Sequence, residues 1–244
     1  MRMRKKPNLV PRMERCAATL ITDPEALRGR WLEQFPGHRA LQLELGCGKG
    51  RFTADTAAQN PDILLAAIEK VPDAMVVGME RVTERGIENV RFLDRDAINL
   101  LDMFAPGEVS RIYINFCNPW SKNAGSNKHR LTHPRQLLQY RQLMDEGAEI
   151  WFKTDDDDLF RDSLSYFPAA GFEITWQTFD LHKNEPDWNL RTEHEGMFSE
   201  QGIPIKALIA RKGPDSSVTW VEPKELARRL EPEEKADPAG EVQE

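Results

Sequence analysis

Apolar residues along the chain gather into short runs separated by stretches with helical spacing. The runs 40–45, 63–69, 89–94, 110–116 and 148–153 have strand length, and helix-compatible segments follow them at 50–59, 72–85, 96–104, 133–146 and 157–169. This alternation predicts a parallel sheet with right-handed crossovers. Upstream, Asp23-Pro24 supplies a helix-capping acid and a first-turn proline, and Leu27, Trp31, Leu32 and Phe35 give an apolar face, so one amphipathic helix is expected beside the sheet. Two further strand-like runs, 172–180 and 204–212, show no good helix between them and predict an antiparallel hairpin at one edge. The fold class expected is α/β, a doubly wound, mostly parallel seven-stranded sheet with one antiparallel edge strand.

Composition bounds this picture. A chain of 244 residues with 40% hydrophobic content fits one domain with a sizeable core, expected over 16–212, plus terminal extensions. The formal charge of −7 is unevenly spread. Residues 1–15 carry Arg2, Arg4, Lys5, Lys6, Arg12 and Arg15 against Glu14 and read as a basic, flexible arm. Residues 213–244 form an extension whose end, EPEEKADPAGEVQE, is acidic and reads as disordered. Any polyanion must therefore be met by a local basic patch rather than by the field of the whole molecule. Cys16, Cys47 and Cys117 show neither disulfide nor zinc spacing, which fits a reducing cytoplasm. No long apolar run suggests secretion or membrane insertion.

The chemistry centres on Glu44-Leu-Gly46-Cys-Gly48-Lys-Gly50, where the first strand should turn into a helix. Closely spaced glycines let a ligand approach the backbone, and the helix start offers unpaired N–H groups. A second acid, Glu69, ends the next apolar run, near the spacing at which ribose-binding acids follow a glycine loop. Ligands in such sheets sit beyond the carboxyl ends of the strands. Those ends deliver Glu44, Glu69, Asp96, the segment Asn115-Phe-Cys-Asn118-Pro-Trp120, and Lys153-Thr-Asp155. Acids around the loop would oppose a pyrophosphate, which disfavours a dinucleotide and an oxidoreductase. S-adenosylmethionine carries an ammonium, a sulfonium and ribose hydroxyls instead, so Glu44 is assigned to its methionine end, Glu69 to the ribose and Asp96 to the adenine end. Glu69 and Asp96 also suit helix starts, where an acid stabilises by roughly 0.3–1 kcal/mol.

The segment after Asn118 places Trp120 beside Lys122, Lys128, His129, Arg130 and Arg135, a plausible surface for stacking bases and holding phosphates. With these motifs the chain resembles the bacterial tRNA (guanine-N(7)-)-methyltransferases, through RMRKKPN, LELGCGKGRF, AIEK, RDA, NPWSK, FKTDDDDLF and TEHEGMFSEQGIPIKALIARK. The resemblance covers nearly everything before the acidic tail. It implies a methyltransferase fold and methyl transfer to a guanosine in the variable loop of tRNA. It implies that Glu44, Gly46, Gly48, Gly50, Glu69, Asp96 and Asn118 hold S-adenosylmethionine, and that Lys122, Asp155, Thr192, Glu193, His194 and Glu195 meet the guanosine. Asn118 stands where the family usually has aspartate, and the loop after it is thinner in Lys/Arg than usual. Asp155 and Glu195 are candidate replacement acceptors for the missing carboxylate, while helix capping is the competing reading of Asp155. His194 lacks partners at metal-ligand spacing, so no metal is expected. The rival functions are an idle tRNA-binding protein on the same fold and a small-molecule methyltransferase. The partner expected is tRNA, with no membrane, and the protein is expected to be a monomer or homodimer.

Overall fold

Seven strands form one sheet: β1 (Ala40–Leu45), β2 (Ile63–Ile68), β3 (Val90–Leu93), β4 (Val109–Asn115), β5 (Met144–Thr154), β6 (Phe172–Thr178) and β7 (Lys206–Lys212). The computed structural model describes residues 8–120 and 124–214. The strand order is β3-β2-β1-β4-β5-β7-β6. The first five strands run parallel, and β7 is antiparallel to both β5 and β6. The antiparallel pair expected at one edge is there, with its reversed member one place in and β6 outermost.

Eight helices of the described residues pack on this sheet: α1 (Leu9–Arg15), α2 (Trp31–Gln34), α3 (Arg51–Gln59), α4 (Pro72–Glu84), α5 (Leu100–Met103), α6 (Pro134–Leu143), α7 (Asp157–Ala169) and α8 (Glu193–Glu200). β2 shows why two layers form. Its alternate residues Ile63, Leu65 and Ala67 join one core with Phe52, Met75 and Met79 of α3 and α4, while Leu64, Ala66 and Ile68 join the other with Leu137 and Phe160 of α6 and α7. β1 alternates differently: Leu41, Leu43 and Leu45 enter the second core, whereas Gln42 and Glu44 are buried polar residues.

Four expectations need correction. The single helix over 23–35 is instead a 3-10 turn, Glu25–Leu27, and the short α2, broken where Gly29 takes φ +78°. The segment between β6 and β7 does hold a helix, α8. The basic arm is not free along its whole length: Leu9–Arg15 is helical, and Arg12 Nε donates to Glu80 Oε1 of α4 at 2.7 Å. Residues 1–7 and the acidic tail lie outside the described residues. The helix expected over 133–146 stops at Leu143 because the chain enters β5 directly at Met144.

Candidate active site

Gly46, Gly48 and Gly50 all have positive φ, +79°, +55° and +69°, but they serve different ends. A Cβ at Gly46 or Gly48 would meet no atom within 4 Å, so the glycines keep open the space above the loop. At Gly50 a Cβ would lie 2.6 Å from the Cα of Gly78, so this glycine lets α3 pack against α4. The N–H groups of Gly46 and Cys47 donate to the Ile68 carbonyl, at 2.8 and 3.1 Å, tying the loop to the end of β2. Glu69 then braces it: Gly48 N–H donates to Oε2 at 3.0 Å and Val71 N–H to Oε1 at 2.9 Å. Burial pushes the Glu69 carboxyl up from its ordinary value, and these N–H donors oppose the rise. No side chain caps the start of α3.

Glu44 lies beneath the loop, 2% exposed, and accepts a hydrogen bond from Thr53 Oγ of α3 at 2.5 Å. Burial pushes its carboxyl up to about 7, with the Thr53 hydroxyl resisting. Asp96 sits at the end of β3 with both predicted roles open to it. Its Oδ1 accepts from Ile98 N–H at 3.3 Å, capping a 3-10 turn, while Oδ2 meets Lys70 Nζ at 3.3 Å on a partly exposed side chain.

The opposite wall is α8. Thr192 and Glu195 form a reciprocal capping box at its start. Glu195 is fully buried and fully engaged. Its Oε2 accepts from Lys153 Nζ at 2.7 Å and Thr192 N–H at 3.4 Å, and its Oε1 accepts from Asn189 Nδ2 at 2.7 Å and lies 3.0 Å from His182 Nε2. Burial pushes the Glu195 carboxyl up, but the Lys153 ammonium, together with the Asn189 and His182 hydrogen bonds, holds it below its ordinary value. Thr192 and Glu195 therefore build the wall, and Glu195 has no spare acceptor for a substrate as expected of it. Glu185 approaches the same cluster, within 4.8 Å of His182 and Glu195, yet its carboxylate is held by Arg191 and Asn189. Glu193 pairs with Arg81 of α4 at 2.7 Å, and the exposed His194 stacks on Phe116, whose own φ is +53°.

At the end of β4, Asn118 is exposed, and its Oδ1 accepts from Trp120 N–H at 3.0 Å, closing the Asn-Pro-Trp turn. Trp120 stands 5.2 Å from the His129 ring. Arg130 is not a surface cation as the sequence suggests. It is buried, donates from Nε to the Pro119 carbonyl at 2.6 Å and pairs with Asp162, fixing the turn from behind. Lys128, His129 and Arg135 do face solvent. Lys122 lies outside the described residues. Capping of α7 falls to Asp156, whose Oδ1 accepts from Leu159 N–H at 2.7 Å, and no described donor binds the neighbouring Asp155 carboxylate. Lys153, read in the sequence only as part of a strand end, is the buried cation that anchors α8 through Glu195. The Thr-x-x-Glu spacing at 192–195 is the pattern that could have revealed its partner helix.

A family model described as "Putative methyltransferase" matches residues 38–208. A tRNA (guanine-N(7)-)-methyltransferase of Clostridium beijerinckii is 46% identical, over 87% of this chain and 99% of that relative. The chain belongs to the tRNA (guanine-N(7)-)-methyltransferase family. A second relative in this family, from Ruminiclostridium cellulolyticum, is 44% identical over 86% of the chain and 92% of its own length. Among solved structures, the 16S rRNA methyltransferase KamB has a TM-score of 0.55 at 15% identity, over 75% of this chain and 93% of its own. TrmN from Thermus thermophilus has 0.52 at 18%, over 78% and 51%. These two share the fold. Among the described residues no helix is long and apolar enough to cross a membrane.

Proposed function

We propose that this protein transfers a methyl group from S-adenosylmethionine to N7 of a guanosine in the variable loop of tRNA, in the cytoplasm. The observation that carries the cofactor reading is the braced loop: two glycines with positive φ facing open space, and a carboxylate already fixed by Gly48 and Val71 N–H groups. A nucleoside with hydroxyls and a positive charge fits this donor set better than a pyrophosphate does. The substrate reading rests on the activity named for the relatives.

Glu69 retains lone pairs for ribose hydroxyls beyond the two N–H groups it accepts. Glu44 would meet the methionine end and Asp96 the adenine end. When bound, S-adenosylmethionine supplies an electrophilic methyl on a sulfonium. N7 of guanine has an in-plane lone pair and no proton, so the chain need not supply a general base. Its work is orientation, a kind of positioning that lowers a barrier by roughly 7–11 kcal/mol. Asn118 is held for that work by its bond to Trp120 N–H, and Asp155, free of the capping duty, can accept from the guanine edge. Trp120 with His129 offers the base a stacking surface, and Lys122 a contact to phosphate.

Labelled methyl transfer to unmodified tRNA, followed by mapping of the modified nucleoside, tests the proposal. Wild type and Asn118→Asp should both produce N7-methylguanosine, and Asn118→Ala should be slower. No transfer to any tRNA, or a modified nucleoside other than N7-methylguanosine, refutes it. An alanine variant as fast as wild type removes Asn118 from the positioning role.

A further inference from the structure

Among the described residues three non-glycines have positive φ, and two of them flank Asn118: Phe116 at +53° and Trp120 at +50°. The third, Asn8, is of a residue type that tolerates this region, whereas a bulky aromatic residue there strains the backbone. Glycine at 116 or 120 would make the same turn without strain and would lose only the ring. Core packing does not account for the pair. Trp120 is exposed and belongs to none of the hydrophobic clusters. Phe116, packed on the small cluster of Leu181, Ile205 and Ala207, stays half-buried and stacks on the exposed His194 of α8, with 6.1 Å between ring centroids and 23° between planes.

One residue fixes both sides of that stack. The Lys153 carbonyl accepts from Phe116 N–H at 2.9 Å, and the Lys153 ammonium donates to Glu195, the neighbour of His194. On the other side of Asn118, Trp120 N–H is held by the Asn118 side chain, and the Trp120 ring stands 5.2 Å from His129. Asn118 is thus flanked by two aromatic pairs, each with a ring open to solvent. A base whose edge meets Asn118 leaves both faces uncovered, and aromatic rings hold the faces of an unstacked base without reading its identity. On the reading that a guanosine is the target, we propose that these pairs grip the two faces of its base: Trp120 stacks on one, His194 on the other, and Phe116 is the positioning residue that braces His194.

The test measures binding of unmodified tRNA to the full chain with S-adenosylhomocysteine present, using intact tRNA and tRNA made abasic at the variable-loop guanosine. Trp120→Ala, His194→Ala and Phe116→Leu should each bind intact tRNA roughly tenfold more weakly than wild type does, and bind the abasic tRNA as wild type does. Phe116→Tyr, which keeps the ring, should behave as wild type on both. A merely structural role for these rings would weaken both RNAs equally, and that result refutes the grip, as does an unchanged affinity of all three variants for intact tRNA. The strain has its own reading: in urea Phe116→Gly should be more stable than Phe116→Ala, because only glycine takes the left-handed conformation freely, and the reverse order refutes the bracing role. None of these measurements needs methyl transfer. A wild type that forms N7-methylguanosine while its variants bind both RNAs equally well loses the grip and keeps the proposed reaction.

Discussion

Glu44 offers the sharpest test of how the site is built, because its carboxyl is buried among groups that do not fully compensate a charge. Its ordinary value of 4.5 rises to about 7 in the folded protein, chiefly through burial. Below pH 4.5 both folded and unfolded chains carry the proton, and Glu44 imposes no ionisation penalty. Between 4.5 and 7 the unfolded chain releases the proton while the folded chain keeps it, so rising pH favours unfolding. Above 7 the penalty is complete, at about 3 kcal/mol by the linkage between pKa and stability. Replacing Glu44 by Gln removes the titration while leaving an oxygen to accept from Thr53.

Urea denaturation of wild type and Glu44→Gln between pH 4.5 and 8.5 measures this directly, and the difference between them cancels every other carboxylate. The two should have similar stability near pH 4.5, and the variant should gain on wild type by about 1.4 kcal/mol per pH unit up to pH 7. A constant difference across that range would falsify the burial argument. The same linkage reaches the cofactor: if its ammonium binds near Glu44, affinity should rise through pH 6–7, with proton release detectable by titration calorimetry in two buffers.

Three further outcomes are expected. Gly50→Ala should cost roughly 2–4 kcal/mol in denaturant unfolding, because its Cβ strikes the Gly78 backbone at a positive φ, whereas Gly48→Ala should cost about 1–2 kcal/mol and instead lose cofactor affinity by calorimetry. Lys153→Met should destabilise by about 3–5 kcal/mol by leaving the Glu195 carboxylate buried without its cation, and adding Glu195→Leu should recover part of that loss; equal stability of the single and double variants would argue against the pair. Arg12→Ala should change global stability by less than about 1 kcal/mol, since this ion pair is partly solvated, yet speed amide exchange over residues 9–15, and unchanged exchange there would mean the pair does not hold α1.

The sheet was largely legible because strands of a doubly wound fold are short apolar runs ending in turn residues, and β1 and β2 fall where 40–45 and 63–69 predicted. The sequence pattern carries no lateral order, so the insertion of β7 between β5 and β6 could not be read from it. The long helix at 23–35 failed because apolar spacing survives a break: Leu27 and Trp31 bury from two short segments joined by Gly29 at a conformation no helix permits. α8 was invisible for the opposite reason. Among its residues only Glu195 is buried, so apolar periodicity had nothing to report, and the signal lay in the polar capping box. The acids at strand ends were legible through topology, but their partners were not. Which of two adjacent aspartates caps α7, or that Arg130 turns inward, depends on contacts between distant segments.

Those distant contacts explain why the site can exist before any ligand arrives. Glu69 holds the glycine loop through backbone N–H groups, Arg130 holds the Asn-Pro-Trp turn through the Pro119 carbonyl, and Lys153 holds α8 through Glu195. Each device draws on a buried or half-buried charge, which is costly to form and costly to break one-sidedly. Their common effect is to set the rims of β2, β4 and β5 and the α8 wall at fixed positions around one cleft. A reaction that needs alignment and no proton transfer gains most from such rigidity. On the proposed function, in which the α8 wall faces the incoming base, disrupting Lys153 should therefore lower kcat as well as stability.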